Sequence, residues 1–530
     1  MRRSMLVRAL LLGLLALLVL PAVGLADSTD LKNFQANGSG PMAGKLPLYN
    51  TSVGFDSIWV ILAGSLVMFM QAGFAFLEIG FSRAKNAGTV IAKILTNYSI
   101  AAIGYWAIGF AFAFGGPLGS FIGHDGGAFF SHLGANAVTT KTATFFHPNF
   151  PAMAASDATI ESKWFFQFVF CAVSLAIVWG TTLERIKFGV YIIYASIFST
   201  VIYPIGSHWV FGGGFLQRGH WLGTKIAGMQ DFAGSTAVHL IGASGAFAAL
   251  LLLGPRKGKY GADGKPRAIP GHNMPLFGLG VLILWLGWFG FNPGSSLNAA
   301  DGRFPEILFI TNLAGAAGVL AAVATARIKT GNIDIGMAGN GAIAALVAIT
   351  APSGYIEIWA APIVGAVAGV IVVLGVYFVD KYIDDPVGAL SAHGMAGIWG
   401  TLSCGLFTSP RLAAYNTITD IKGNTGFGDP RGGLWYSGHF TQLAAQAIGF
   451  LVAFSFVFGM SFVTFWVIKK TYGLRVSDDE EDAGLDISEH GMYGYPEQFI
   501  PSAELIGYSY SPAATMSANP APTTKEVLSS

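Results

Sequence analysis

Eleven windows of roughly 20 residues are apolar enough to cross a lipid bilayer, and this one property leaves few folds open to the chain. They lie near 57–80, 90–114, 164–183, 189–211, 232–253, 274–292, 305–327, 335–351, 357–379, 388–407 and 443–468. A backbone immersed in hydrocarbon must satisfy its own polar groups, so windows of this length predict helices. Composition agrees: 53% of the 530 residues are hydrophobic and 11% charged, against ~25% charged in a soluble domain. The predicted fold class is an all-α integral membrane protein with eleven transmembrane helices. Glycine contributes 70 residues, and small residues let helix backbones approach closely in lipid. A net charge of +1 offers no basic surface to nucleic acid, which excludes that class of partner. Cys171 and Cys404 stand alone in apolar windows and provide neither a disulfide framework nor a cysteine metal site.

The first 26 residues combine a basic start, a short apolar core and small residues at Gly24 and Ala26, the pattern of a cleavable signal peptide; an uncleaved helix is the alternative. Residues 27–56 then form an extracytoplasmic lead-in, 57–468 the transmembrane domain, 469–497 a cytoplasmic C-terminal region and 498–530 a disordered tail. Of the 30 Lys and Arg, 14 concentrate in GFSRAKN, LERIKF, GPRKGKYGADGKPR, ARIKTGN and IKKTYGLR, connections that follow alternate spans. The positive-inside rule makes these loops cytoplasmic, with the N-terminus outside and the C-terminus inside. The Gly-rich loops 115–163 and 408–442 fall on the extracytoplasmic side.

One pattern occurs twice. DFAGSTAVH at 231–239 and DPVGALSAH at 385–393 place Asp, Gly and His at identical offsets, and both run on into apolar sequence. Asp231 and Asp385 are expected at the first helical residues, capping orphan amides. Eight residues at ~1.5 Å each carry His239 and His393 about 12 Å deep, near the middle of a ~30 Å hydrocarbon core. The two spans enter from opposite faces, which predicts a 5+5 inverted repeat with one extra helix.

An ionisable group at that depth is a functional candidate. A neutral imidazole bonded to a helix carbonyl accounts for one such His; a symmetric pair points further, to two rings that share a proton and line a path for a small polar solute. Zinc would need further ligands, and none lies within a turn of either His, so no metal and no cofactor are expected. Glu78 reads as structural, paired with Lys93 or Arg83. Two aromatic clusters stand out, WFFQFVF at 164–170 and WFGFNPGSS at 288–296. Phe166 and Phe170 stand one turn apart with Gln167 beside them, while Phe291 precedes a helix-ending Asn-Pro-Gly-Ser. Such rings could hold a small cation while Ser295 accepts a hydrogen bond, or could simply pack as core.

GFSRAKN, LERIKF, SHWVFGGG, DFAGSTAVH, HNMP, GWFGFNPGS, DDPVGALSAHG and GLRV followed by GLDISEHG keep an order and spacing, from Ser57 to Tyr493, that closely resemble the ammonium transporter (Amt/Rh) family. The resemblance implies a bacterial-type transporter, not an enzyme, that forms a homotrimer in the cytoplasmic membrane with one narrow pore per subunit. Ammonium or ammonia would be the substrate, with methylammonium as an analogue, and a PII-type protein is a candidate partner of the tail. Phe170 and Phe291 match the family's stacked outer gate, Phe166, Gln167 and Ser295 its vestibule, His239 and His393 its twin-histidine pair, and Asp231 its buried acid. Phe211 stands where the family has a vestibule tryptophan, with Trp209 two residues away, and Met492 stands where the tail usually has Glu. The implied mechanism recruits ammonium among Phe170, Phe211 and Ser295, removes its proton near Asp231 and passes ammonia along the histidines. Whether the proton follows is left open by the sequence. An ammonium sensor signalling through the tail is the alternative; no output domain follows the last span. A membrane haem enzyme with paired histidines is a further rival.

Overall fold

The computed structural model describes residues 47–123, 150–153, 156, 158–219, 227–415 and 428–500. Within them the chain is helical, broken only by turns and isolated bridges. Nine helices are long and apolar enough to cross a membrane. These are α1 (Gly54–Phe81), α2 (Ala84–Phe114), α3 (Ile160–Thr181), α4 (Phe188–Arg218), α5 (Ser235–Leu253), α6 (Met274–Gly294), α7 (Phe304–Thr330), α9 (Ile358–Val379) and α11 (Thr441–Thr471). Two further segments occupy the remaining predicted windows: α8 (Ile335–Thr350), which is shorter, and α10, built from Leu390–Met395 and Ala396–Phe407. The signal peptide, most of the lead-in and residues 501–530 lie outside the described residues; Pro496–Phe499 forms a helical turn.

Close packing follows from the glycines. On α6, a Cβ at Gly280 would lie 2.4 Å from the Leu77 nitrogen, and one at Gly290 would lie 2.4 Å from the Ala63 oxygen. Only a residue without a side chain lets α1 and α6 meet backbone to backbone there. Side chains on the outer surface are apolar: Leu95, Leu282, Leu320 and Val463 are all more than half exposed, as a lipid-facing surface requires.

The basic connections gather at one end of the bundle. Arg83 donates to Glu184 through its backbone nitrogen (2.7 Å) and Nε (2.6 Å). Arg185 donates to the carbonyls of Gly254 (2.9 Å) and Asp384 (2.8 Å), and Arg256 forms a two-pronged pair with the Asp384 carboxylate, both contacts at 2.9 Å. Burial alone would raise the Asp384 carboxyl, but the Arg256 hydrogen bond and the charges of Arg185 and Arg256 hold it well below the usual carboxylate range. Burial pulls Arg185 down to about 10 against the opposing charge of Asp384. The opposite end carries its own network, in which Arg411 joins Glu306 and Glu357 at 2.8 and 2.9 Å.

Beyond α11 the chain folds back onto the basic end as α12 (Asp478–Ala483) and α13 (Leu485–His490). Ser477 and Glu480 form a reciprocal capping box at the start of α12. Asp486 accepts from the backbone nitrogens of Gly88 (3.0 Å) and Thr89 (2.8 Å), so a tail carboxylate caps α2 across the molecule.

Candidate functional site

The two Asp–Gly–His copies adopt the same local structure, and it differs from the expectation in one respect. Neither Asp is the first helical residue: regular structure begins at Ser235 and Leu390, four and five residues later. Asp231 instead reaches over the helix entrance and accepts from the backbone nitrogens of Gly234 (2.8 Å), Ser235, Thr236 and Ala237 (2.9 Å each), all four orphan amides. Asp385 does the same more sparingly, accepting from Gly388 (3.1 Å) and Leu390 (2.7 Å). The reversal this needs is supplied by Gly234 and Gly388, whose φ values of 118° and 74° favour a residue without Cβ.

Both histidines lie in π-helical turns, Ser235–Leu240 and Leu390–Met395. A π-turn widens the backbone spiral and frees carbonyls from the usual ladder, an arrangement that recurs at functional sites. The Val238 carbonyl, which also accepts from the Ile241 backbone nitrogen, accepts from Ser174 Oγ at 2.8 Å. The histidine rings face each other with Nδ1 atoms 3.2 Å apart, ring centres 5.3 Å apart and an interplanar angle of 21°. Two neutral rings can make that contact only if one nitrogen donates and the other accepts. Both side chains are buried, and His239 Nε2 has no hydrogen-bond partner among the described residues. His239 also stacks against Trp288 and Phe291, each 5.4 Å away between ring centres.

The aromatic clusters converge on the same line. Phe170 from α3 and Phe291 from α6 stack face to face at 4.0 Å and 9°, leaving no gap between the rings. Phe166 stands 4.6 Å from Phe170 on the side away from the histidines, with Gln167 buried on the same helix. Phe211 lies 6.5 Å from Phe170, and Ser295 Oγ donates to the Phe291 carbonyl at 2.9 Å. Trp209 turns elsewhere: its Nε1 donates to the Phe121 carbonyl at 2.7 Å and its ring packs on Phe215 and Phe456. From one end to the other the order is therefore Phe166, the Phe170–Phe291 stack, His239 and His393, then Phe74, 6.5 Å from His393. Asp231 faces its own helix amides, so the chain brings it near this line as a cap.

Two features go beyond the sequence reading. Trp288, the first residue of the 288–296 cluster and given no role there, donates from Nε1 to Thr350 Oγ1 at 2.9 Å and forms a wall beside His239. Glu78 also departs from expectation, because Arg83 is taken by Glu184 and both Glu78 oxygens lack a hydrogen-bond partner among the described residues. No group of three or more His, Cys, Asp or Glu that could hold a metal occurs among the described residues.

Residues 58–495 match the family model described as the Ammonium Transporter Family. Ammonium transporter Amt2 of Archaeoglobus fulgidus is 40% identical over 472 residues, which is 88% of this chain and 94% of that protein. Ammonium transporter 3 of Dictyostelium discoideum is 33% identical over 84% of this chain and 95% of its own length. Among solved structures, a Sensor Amt Protein superposes with a TM-score of 0.70 at 32% identity, covering 83% of this chain and 99% of that one. Candida albicans Mep2 superposes with a TM-score of 0.67 at 27% identity over 80% and 87%.

Proposed function

Since this chain belongs to the ammonium transporter family and carries ammonium across a membrane, we propose that it does so through the line of residues that runs from Phe166 to His393. In this reading the eleven helical segments are all spans, the two Asp–Gly–His copies head inverted five-helix halves, and the basic end is cytoplasmic. The cytoplasmic membrane, a homotrimer and a PII-type partner for the tail belong to the same reading. Ammonium rests on the aromatic faces of Phe166, Phe170 and Phe211 with Ser295 beside it, held by cation–π attraction. It sheds its proton at the closed Phe170–Phe291 stack, where dehydration disfavours the charged form of an amine, and the proton crosses separately through the bonded His239–His393 pair, so that net charge moves with each ammonia. Ammonia then passes the histidines. A cation at the bilayer centre costs ~2.5 kcal/mol or more, whereas ammonia carries no charge and hydrogen-bonds to neutral imidazoles on the way. Potassium has no proton to leave behind and is refused. Asp231 holds the entrance of α5 in shape and adds negative potential near the recruitment point.

The observation that carries this reading is the continuous run of ring contacts from Phe170 and Phe291 to the bonded histidine pair. Ammonium and potassium currents in proteoliposomes test it. His239→Asp or His393→Asp places a negative charge in the narrow segment, and either variant is expected to admit potassium; replacing both histidines with Ala is expected to abolish ammonium-driven current. Wild-type ammonium current in the double Ala variant together with potassium exclusion in both Asp variants would reduce the histidines to packing.

A further inference from the structure

We propose that Glu78 is a second ammonium site at the basic end of the pore, holding the cation that re-forms once ammonia has passed the histidines. The proposal rests on the pore reading above and extends it by one station. Below His393 lies a cavity of about 20 Å³ lined by Phe74, Glu78, Asn340, Val387 and His393, room for one guest the size of water, which ammonium closely matches. Glu78 is 1% exposed, and neither carboxylate oxygen has a hydrogen-bond partner among the described residues. A buried carboxylate without partners is costly, so its persistence calls for a counter-ion.

The resident candidates are both otherwise disposed. Arg83 is bound to Glu184. Lys93, also fully buried, directs its ammonium over the Tyr191 ring at 4.3 Å, and its Nζ makes no hydrogen bond to any described residue. The balancing charge is thus close by while the carboxylate's acceptor positions stay open to a mobile cation. Gly180 protects that opening: a Cβ there would stand 3.2 Å from Glu78 Oε1. Four N–H groups of ammonium can donate to the two Glu78 oxygens, and Lys93 repels the bound cation enough to release it. Conduction needs this combination, a site that attracts the ion but does not trap it. No bond is made or broken in holding the cation; ammonia regains at that end the proton relayed by the histidine pair, one N–H bond forming for the one broken at the Phe170–Phe291 stack.

Ammonium-driven current measured with the full chain in membrane vesicles of defined orientation separates the possibilities. Glu78→Gln keeps the volume and removes the charge. It should raise the half-saturation concentration for ammonium supplied from the basic face by about tenfold or more, leaving the opposite face within about twofold. Glu78→Asp should restore the basic-face value in part, and Lys93→Met, which removes the competing cation, should lower it. A Glu78→Gln variant that matches wild type at the basic face, or that shifts both faces alike, overturns the proposal and makes Glu78 structural. If Glu78→Gln does not fold, an unchanged basic-face value in Lys93→Met overturns it equally. Absence of ammonium current in wild type would be a different result, sinking the pore reading and this site with it.

Discussion

In the proposed pore, Phe211 is the side chain whose exchange would change the strength of cation binding without changing the architecture. Its ring lies within reach of Phe170 and packs over Gly234, where an added Cβ would come 3.2 Å from Phe211 Cζ. Benzene faces attract cations less strongly than indole faces do. Phe211→Trp is therefore expected to tighten recruitment by about 0.5–1 kcal/mol, a two- to fivefold lower half-saturation for methylammonium uptake. An unchanged or higher half-saturation would show that this ring does not face the cation. Trp209 cannot substitute, since its nitrogen is committed to the Phe121 carbonyl on the far side of α4.

At the scale of elements, α5 and α10 are built alike. Each begins with an Asp that reaches over the helix entrance, turns at a glycine of positive φ and presents its His from a π-helical turn. The glycine is the sensitive point. Ala at Gly234 would be strained at φ 118° and would bring Cβ to 2.6 Å from Val238 Cγ2; Gly388, at φ 74°, meets its nearest side-chain atom at 2.9 Å. Gly234→Ala should cost on the order of 1–3 kcal/mol and Gly388→Ala less. Thermal unfolding of the detergent-purified variants measures the difference. Transport should fall in the same order, because a displaced α5 entrance moves His239 relative to Phe291. Equal midpoints for both variants and wild type would mean that the two turns carry no conformational demand.

For the molecule as a whole, the tail works as a clamp on the basic end. Lys85 Nζ donates to the carbonyls of Glu481 (2.8 Å) and Asp482 (2.6 Å), Asn86 Oδ1 accepts from the Leu485 nitrogen at 2.9 Å, and Arg475 pairs with Glu481 at 2.5 Å. Removing residues after Ile468 strips the α2 entrance of its cap and the basic loops of their partners, while the apolar helices keep theirs. Transport should fall with helix content by circular dichroism unchanged, and truncation after Gln498 should leave both near wild type. Asp486→Ala isolates the cap and should cost about 1 kcal/mol, read as a lower unfolding midpoint with full-length tail. Equal transport from both truncated chains would detach the tail from function.

The sequence determined the class of fold outright, because about 20 apolar residues in lipid can satisfy their backbone only as helix. It also singled out two side chains by a repeated Asp–Gly–His spacing, and both His239 and His393 are buried within the protein. Segment ends were less legible. Asp231 and Asp385 proved to be caps standing ahead of their helices, since hydrogen bonding to four successive amides needs a loop that hydropathy does not register. Contact between the two imidazoles, 154 positions apart, and the parallel stack of Phe170 on Phe291 depend on how separate helices are rotated against one another. Lys93 shows the same limit. Its proximity to Glu78 was readable from spacing, but its commitment to the Tyr191 ring was decided only when α2 packed beside α4, because the geometry of a buried charge is set by whichever surfaces tertiary packing brings around it.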